Sequence, residues 1–122
     1  MIFNSHKNFI FIIFFLYSFA LYSHEKKYFL GVTVGNVTKS VMDELELRDK
    51  SGAIILKLSD LSAAKQSGLL VGDIIIKIDD QNINNFYDLT KFISIYEGNG
   101  IVNIMTLRNK KISNISVKLI EK

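Results

Sequence analysis

Short apolar runs separated by polar turn residues divide most of this chain into strands and helices. The most strongly β-branched run, Ile74 to Ile78, predicts a buried central strand. Near the end of the chain, Ile115, Val117 and Leu119 alternate with polar residues, which predicts a half-buried strand of a hairpin. The predicted strands cover residues 29–34, 53–58, 74–78, 101–108 and 112–119.

Three helices are predicted between these strands, each beginning at a polar residue. Thr38, Ser62 and Asn85 are the predicted caps, since their side-chain oxygens can accept a hydrogen bond from the first helical turn. The first helix runs through Leu47, and Gly68 ends the second because glycine tolerates the positive φ found there. The third stops at residues 98–100 and carries apolar residues at spacings of three and four, namely Phe86, Leu89, Phe92, Ile93 and Tyr96.

The number and length of these elements limit the fold. A chain of 122 residues allows one domain, which we place at residues 28–120. Five or six short strands with two or three helices, without an internal repeat, favour the α+β class. We expect a small, partly open β-barrel.

The first 23 residues are predicted to be an export signal. They hold a single charge, Lys7, followed by an uncharged, mainly apolar run from Phe9 to Tyr22, and Ser18 and Ala20 suit a signal peptidase. As a helix, this run of 14 residues covers about 21 Å, short of the roughly 30 Å of a bilayer core. We therefore expect an exported domain. The alternative is an uncleaved signal anchor that tethers the domain to a membrane.

Charge and cysteine content narrow the function. The 15 basic and 12 acidic residues give a net charge of +3, too balanced for nucleic-acid binding. There is no cysteine, so disulfides and thiol chemistry are excluded. His6 lies in the predicted signal and His24 directly after it, so neither is expected to be a buried catalytic base. Asp79 and Asp80 suit a turn at a strand end, and we expect no catalytic residue, metal or cofactor.

Four short motifs resemble those of one family. They are Phe29-Leu30-Gly31-Val32, Ser62-Ala63-Ala64, Gly68-Leu69 and Gly72-Asp73-Ile74-Ile75. Together they resemble a PDZ domain of the kind found in bacterial trypsin-like envelope serine proteases, and the likeness covers the chain from Tyr28 to about Leu119. Relatives usually have proline where this chain has Ala63 and Val71, and glycine at Asp80. These departures are expected to reduce rigidity and to leave the fold intact.

The resemblance implies a peptide-binding groove. By that likeness, the backbone N–H groups of Leu30, Gly31 and Val32 would converge on the terminal carboxylate of a bound protein. The bound segment would add as a strand beside residues 32–34, and the helix after Asn85 would form the opposite wall. The implied binding residues are Phe29, Leu30, Gly31, Val32, Thr33, Val34, Phe86, Thr90 and Ile93. Since Phe86 offers no polar group, we predict a preference for apolar C-termini.

The resemblance implies a non-catalytic adaptor, periplasmic or tethered to the inner membrane, that captures hydrophobic C-terminal or unfolded protein segments, with an envelope serine protease as a candidate partner. Catalysis in the related proteases needs a histidine, an aspartate and a serine that a large double barrel holds together. The domain predicted at residues 28–120 does not supply this arrangement. Two alternatives stay open. One is a structural or regulatory subunit of an envelope protease or secretion complex whose edge strand is permanently occupied, and the other is the separately encoded substrate-reading part of a serine endoprotease. We expect a monomer or a weak dimer formed through the edge strand at residues 32–34.

Overall fold

The computed structural model describes residues 26–122, and the predicted signal at residues 1–23 and His24 lie outside the described part. In chain order the elements are β1 (Tyr28–Phe29), β2 (Val32–Asn36), α1 (Lys39–Glu44), β3 (Ala53–Leu58), α2 (Ala63–Ser67), β4 (Ile74–Ile78), β5 (Gln81–Asn82), α3 (Phe86–Ser94), β6 (Ile101–Arg108), β7 (Lys111–Lys118) and β8 (Ile120–Glu121). Within residues 26–122, none of the helices has the length and apolar composition needed to span a membrane.

Six of the strands form one antiparallel sheet, in the order β2-β3-β4-β6-β7 with β5 attached to β4. Strands β1 and β8 pair separately. The α+β class, the three helices and the number of longer strands agree with the sequence prediction. The strand predicted at residues 29–34 is instead interrupted at Leu30 and Gly31, and β2 runs from Val32 to Asn36 because the left-handed Gly31 breaks the extended backbone. The additional strands β1, β5 and β8 have two residues each, too few for periodicity to reveal. Strands β2 and β7 are the edges and share no described ladder, so the sheet does not close into a barrel.

Most of the buried apolar residues form one cluster between the sheet and the helices α2 and α3. Fully burying an aliphatic side chain contributes about 1.5–3 kcal/mol to folding. The cluster therefore fixes both helices against the strands. It includes Ile55, Ile75, Ile104 and Val117 from four strands, Ala64 from α2 and Leu89 from α3.

Side-chain caps start all three helices at the predicted residues. The Thr38, Ser62 and Asn85 side chains each accept a hydrogen bond from the backbone N–H three residues later, at 3.2, 3.1 and 2.9 Å respectively. Gly68 follows α2 with a φ of 96°, the left-handed conformation for which glycine is suited. The local capping signals in the sequence were therefore sufficient to place the helix starts.

Helix α1 ends at Glu44, earlier than the predicted end at Leu47. Glu46 adopts a left-handed backbone with a φ of 55°. The N–H groups of Glu46 and Leu47 donate back to the carbonyls of Asp43 at 3.3 Å and Met42 at 2.8 Å. This pair of bonds is a Schellman motif, which closes the helix while the apolar pattern continues beyond it.

A buried carboxylate closes the turn between α2 and β4. Asp73 is 1 % exposed and accepts hydrogen bonds from Arg108 Nε at 2.7 Å, Arg108 Nη2 at 2.6 Å and the Leu70 N–H at 2.9 Å. Arg108 Nη2 also donates to the Gly68 carbonyl at 2.9 Å. Hydrogen bonding to Asp73 raises the pKa of Arg108 above its ordinary value. Gly68 and Asp73 of the sequence motifs are therefore held together by an arginine that the sequence analysis did not identify.

Candidate functional site

A groove of about 580 Å³ runs between one edge of β2 and helix α3. Among the described residues β2 pairs only with β3, so its other edge keeps backbone groups available for hydrogen bonding. The lining comes from the segment before β2, from β2 itself and from one face of α3. The lining residues are Lys27, Tyr28, Phe29, Leu30, Gly31, Val32, Val34, Leu89, Thr90, Ile93 and Ser94.

Leu30 and Gly31 form a loop at one end of the groove, and their carbonyl groups are held by the segment behind it. The Leu30 carbonyl accepts from the Ala64 N–H at 3.0 Å, and the Gly31 carbonyl accepts from the Ser59 N–H at 3.0 Å. In a trans peptide unit the N–H points opposite to the C=O, and the described residues contain no cis peptide. The N–H groups of Gly31 and Val32 therefore point away from this segment. No residue among 26–122 accepts a hydrogen bond from the Leu30 or Gly31 N–H.

Glycine is the one residue type that fits position 31 of this loop. Its φ is 80°, and a Cβ at this position would clash with the Ser62 side chain. Ser62 is itself buried and caps α2 through its Oγ. The loop motif and the Ser62-Ala63-Ala64 motif are thus parts of one contact, in which the start of α2 supports the loop from behind.

The helix wall is built from side chains. Leu89 of α3, which is 1 % exposed, lies at the base of the groove, and Thr90, Ile93 and Ser94 also line it. Thr90 Oγ1 donates to the Phe86 carbonyl at 3.0 Å, and Ser94 Oγ donates to the carbonyl three residues before it at 2.8 Å. Because both hydroxyl protons are used within the helix, these two side chains offer the groove only carbon atoms and acceptor lone pairs.

The charged side chain that lines the groove is positive. Lys27 is the one charged residue among the described residues that line it, and Lys122 Nζ lies 5.2 Å from the centre of the Phe29 ring. Asp60 lies outside the lining, where hydrogen bonding and the charge of Lys65 lower its pKa below the ordinary value. A mainly apolar groove with a basic residue suits an anionic group attached to apolar side chains.

Seven of the nine residues predicted to bind a peptide line this groove: Phe29, Leu30, Gly31, Val32, Val34, Thr90 and Ile93. Thr33 and Phe86 do not. Thr33 lies on β2 with an exposed side chain, and Phe86 is the first residue of α3 and is 44 % exposed. The binding role of all nine residues stays a prediction.

Four lining residues were not predicted to bind: Lys27, Tyr28, Leu89 and Ser94. Leu89 was expected to face the core, and it is buried there while also lining the groove. Ser94 lies four residues after Thr90 on the same helical face. This spacing is the sequence signal that could have predicted Ser94 as a lining residue. Lys27 and Tyr28 precede the loop and follow no periodic pattern.

The fold and this groove together define a class of protein. The sequence model of the PDZ domain matches residues 28–119. This chain therefore belongs to the PDZ domain family.

Relatives of this chain include periplasmic proteases. The chain is 36% identical over 90 residues to a probable periplasmic serine endoprotease, DegP-like, of Bartonella henselae, a match that covers 74% of this chain and 18% of the relative. It is 27% identical over 88 residues to the protein of the same description in Pseudomonas fluorescens, covering 72% and 18% respectively. The chain thus matches less than a fifth of the length of these relatives.

Solved structures share the fold. The HtrA3 PDZ domain bound to a phage-derived ligand superposes with a TM-score of 0.67 at 20% identity, covering 80% of this chain and 89% of that one. The HtrA-type protease AlgW with a decapeptide gives a TM-score of 0.69 at 24% identity, covering 80% and 30% respectively. At these identities the likeness establishes the fold.

Proposed function

We propose that this chain is a peptide-binding module that captures the C-terminal ends of other proteins. One observation carries the proposal. The carbonyls of Leu30 and Gly31 are held by Ala64 and Ser59, so the N–H groups of Gly31 and Val32 point away from that segment at the end of an apolar groove. Convergent backbone N–H groups beside an apolar trough fit a terminal carboxylate that follows an apolar side chain.

The bound segment would lie beside β2 as an added antiparallel strand. Its main chain would pair with the available edge of β2, and its last side chain would pack among Leu30, Val32, Leu89 and Ile93. A preference for apolar C-termini follows from this lining and from the internally bonded hydroxyls of α3. It no longer depends on Phe86, which lies outside the groove.

The proposed setting is the bacterial envelope. The DegP-like relatives are described as periplasmic endoproteases, which supports a periplasmic location for this chain as well. The HtrA3 domain and AlgW were solved with a ligand and a decapeptide, which supports peptide capture. We propose that the chain acts without catalysis as an adaptor for C-terminal or unfolded segments, with an envelope serine protease as a candidate partner.

The test compares one peptide in two forms. A hexapeptide ending in valine, as the free acid, is expected to bind residues 26–122 with micromolar affinity, about −8 kcal/mol. The same peptide with an amidated C-terminus is expected to bind at least about tenfold more weakly, because it loses a charged acceptor for the loop N–H groups. Isothermal titration calorimetry measures both values. Equal affinity for the two forms would contradict carboxylate capture.

The same edge of β2 supports the second candidate, a structural or regulatory subunit whose edge strand is permanently paired. All five residues of β2 lack a partner strand on the groove side among the described residues. A fixed partner strand, or a second copy of this chain, would use the same backbone groups. Such a partner needs no free carboxylate, so insensitivity to amidation would favour this candidate over C-terminal capture.

A further inference from the structure

The two ends of the groove are held in different ways. At the end near the loop, the Tyr28 ring packs edge-to-face on Tyr96, with centroids 5.1 Å apart and an interplanar angle of 84°. The Tyr28 hydroxyl donates to the Gly98 carbonyl at 3.2 Å, and the Tyr96 hydroxyl accepts from the Gly100 N–H at 3.0 Å. Packed aromatic rings therefore hold this end of α3 beside β1.

Beyond the far end, between two residues that do not themselves line the groove, one hydrogen bond joins β2 to α3. Asn36, the last residue of β2, accepts a hydrogen bond on Oδ1 from the N–H of Phe86, the first residue of α3, at 2.9 Å. Among residues 26–122 it is the sole hydrogen bond between β2 and α3. The Phe86 N–H is one of the four at a helix start that have no partner within the helix.

Asn36 thus caps α3 from a strand 50 residues away in sequence. The local cap, Asn85, bonds the N–H of Asp88 instead, so the two asparagines serve different donors. The position of Asn36 is fixed by the ladder with β3, where it lies opposite Ala53. The bond therefore holds the start of α3 at a fixed position relative to the sheet.

We infer that Asn36 is a positioning residue that sets the separation of β2 and α3 at the far end of the groove. The inference rests on the proposed function, peptide binding along β2. From Val32 to Asn36 the strand covers about 13 Å, so a bound segment reaches Asn36 only with its fourth and earlier residues counted from the C-terminus. Asn36 therefore controls binding of these upstream residues and has little influence on the terminal residue.

The experiment uses two free-acid peptides ending in valine, a tripeptide and a hexapeptide, against three variants. Asn36→Ala is expected to weaken hexapeptide binding by about fivefold, because the released start of α3 must be ordered again when the peptide binds, and to change tripeptide binding by less than about twofold. Asn36→Asp keeps the acceptor and places a negative charge at the helix start, so it is expected to stay within about twofold of the native chain for both peptides. Asn114→Ala, on the exposed face of β7, is the matched control and should change neither affinity.

Hydrogen exchange of the Phe86 N–H in the unliganded chain supplies a readout that needs no ligand. Exchange is expected to be faster in Asn36→Ala than in the native chain, in Asn36→Asp or in Asn114→Ala. An equal loss of affinity for both peptides, or unchanged exchange at Phe86, would overturn the positioning role. Failure of the native chain to bind either peptide would contradict the proposed function. Faster exchange in Asn36→Ala would then identify Asn36 as a structural cap only.

Discussion

The two walls of the groove differ in what they offer a ligand. The wall formed by residues 30–34 presents main-chain groups whose directions are fixed by hydrogen bonds from Ser59 and Ala64. The wall formed by α3 presents side chains, above all Leu89, Thr90 and Ile93. A main-chain wall recognises features that every C-terminus shares, whereas a side-chain wall distinguishes one sequence from another. Substitutions in the two walls should therefore impair binding in different ways. Changes in residues 30–34 should weaken the binding of every C-terminus, whereas changes in α3 should alter which C-termini are preferred.

Gly31→Ala should have the largest effect, because it disrupts the main-chain wall. The new Cβ meets Ser62 and the φ of 80° is unfavourable for alanine. We expect a loss of about 3 kcal/mol in the free energy of unfolding, and peptide affinity reduced by at least about 100-fold. Chemical denaturation and calorimetric titration measure these two quantities.

Gly68→Ala is the matched control for that substitution. Its φ is also positive, at 96°, but nothing lies within 4 Å of the added Cβ. We expect a destabilisation of about 1 kcal/mol from backbone strain alone and no change in peptide affinity. Similar binding losses in both variants would show that the main-chain wall does not depend on the contact between Gly31 and Ser62.

Asp73→Ala tests the turn that follows α2. It removes the buried carboxylate that accepts from Arg108 and from the Leu70 N–H and leaves Arg108 only the Gly68 carbonyl, so the free energy of unfolding should fall by about 3 kcal/mol. Affinity measured on the folded fraction should stay within about twofold, since Asp73 does not line the groove. Asp43→Ala removes an exposed pair with Lys39 and should cost about 0.5 kcal/mol or less. A loss as small as that of Asp43→Ala would contradict the structural role of Asp73.

Ile93→Ala tests the side-chain wall against a neighbouring aromatic residue. Ile93 lines the groove and Phe86 does not, so Ile93→Ala should reduce affinity for a valine-ending peptide by about tenfold and Phe86→Ala by less than about twofold. Fluorescence anisotropy with a labelled peptide measures both. A larger loss in Phe86→Ala would restore the groove position predicted from the sequence.

Lys110→Ala gives the smallest expected effect and lies away from both walls. Lys110 Nζ donates to Glu46 Oε2 at 2.8 Å, and this hydrogen bond together with the lysine charge lowers the pKa of Glu46 below its ordinary value of 4.5. Because the pKa is lower in the folded state, the stabilisation is complete above the ordinary value and is lost as the pH falls through the folded value. The stability difference between the native chain and Lys110→Ala should therefore shrink on acidification, as urea denaturation at several pH values would measure. A difference that grows on acidification would contradict the pair.

Most of the fold was predictable because its signals are local. The caps at Thr38, Ser62 and Asn85 and the β-branched run at residues 74–78 depend on neighbours within a few positions. The end of α1 was predicted too late, because its apolar pattern continues past the left-handed Glu46. The hydrogen bonds between Asp73 and Arg108 join residues 35 positions apart, and a local sequence pattern cannot predict contacts at that separation.

The candidate site was predictable on one side more than the other. Residues 29–32 were placed at the groove by the resemblance of their motif to PDZ domains, and they line it. On α3 the rotation of the helix about its axis decides which side chains line the groove, and the sequence pattern does not fix that rotation. Apolar spacing alone does not separate a groove face from a core face, which is why Phe86 was included and Ser94 was omitted.

The contact between Gly31 and Ser62 has a consequence for the redesign of this scaffold. Any side chain at Gly31 meets the helix cap, so a library that varies position 31 would consist mostly of destabilised members. A library confined to positions 90, 93 and 94 would leave that contact untouched. Selection from it should yield binders that still require a chain end but prefer new terminal residues, with the scaffold unchanged.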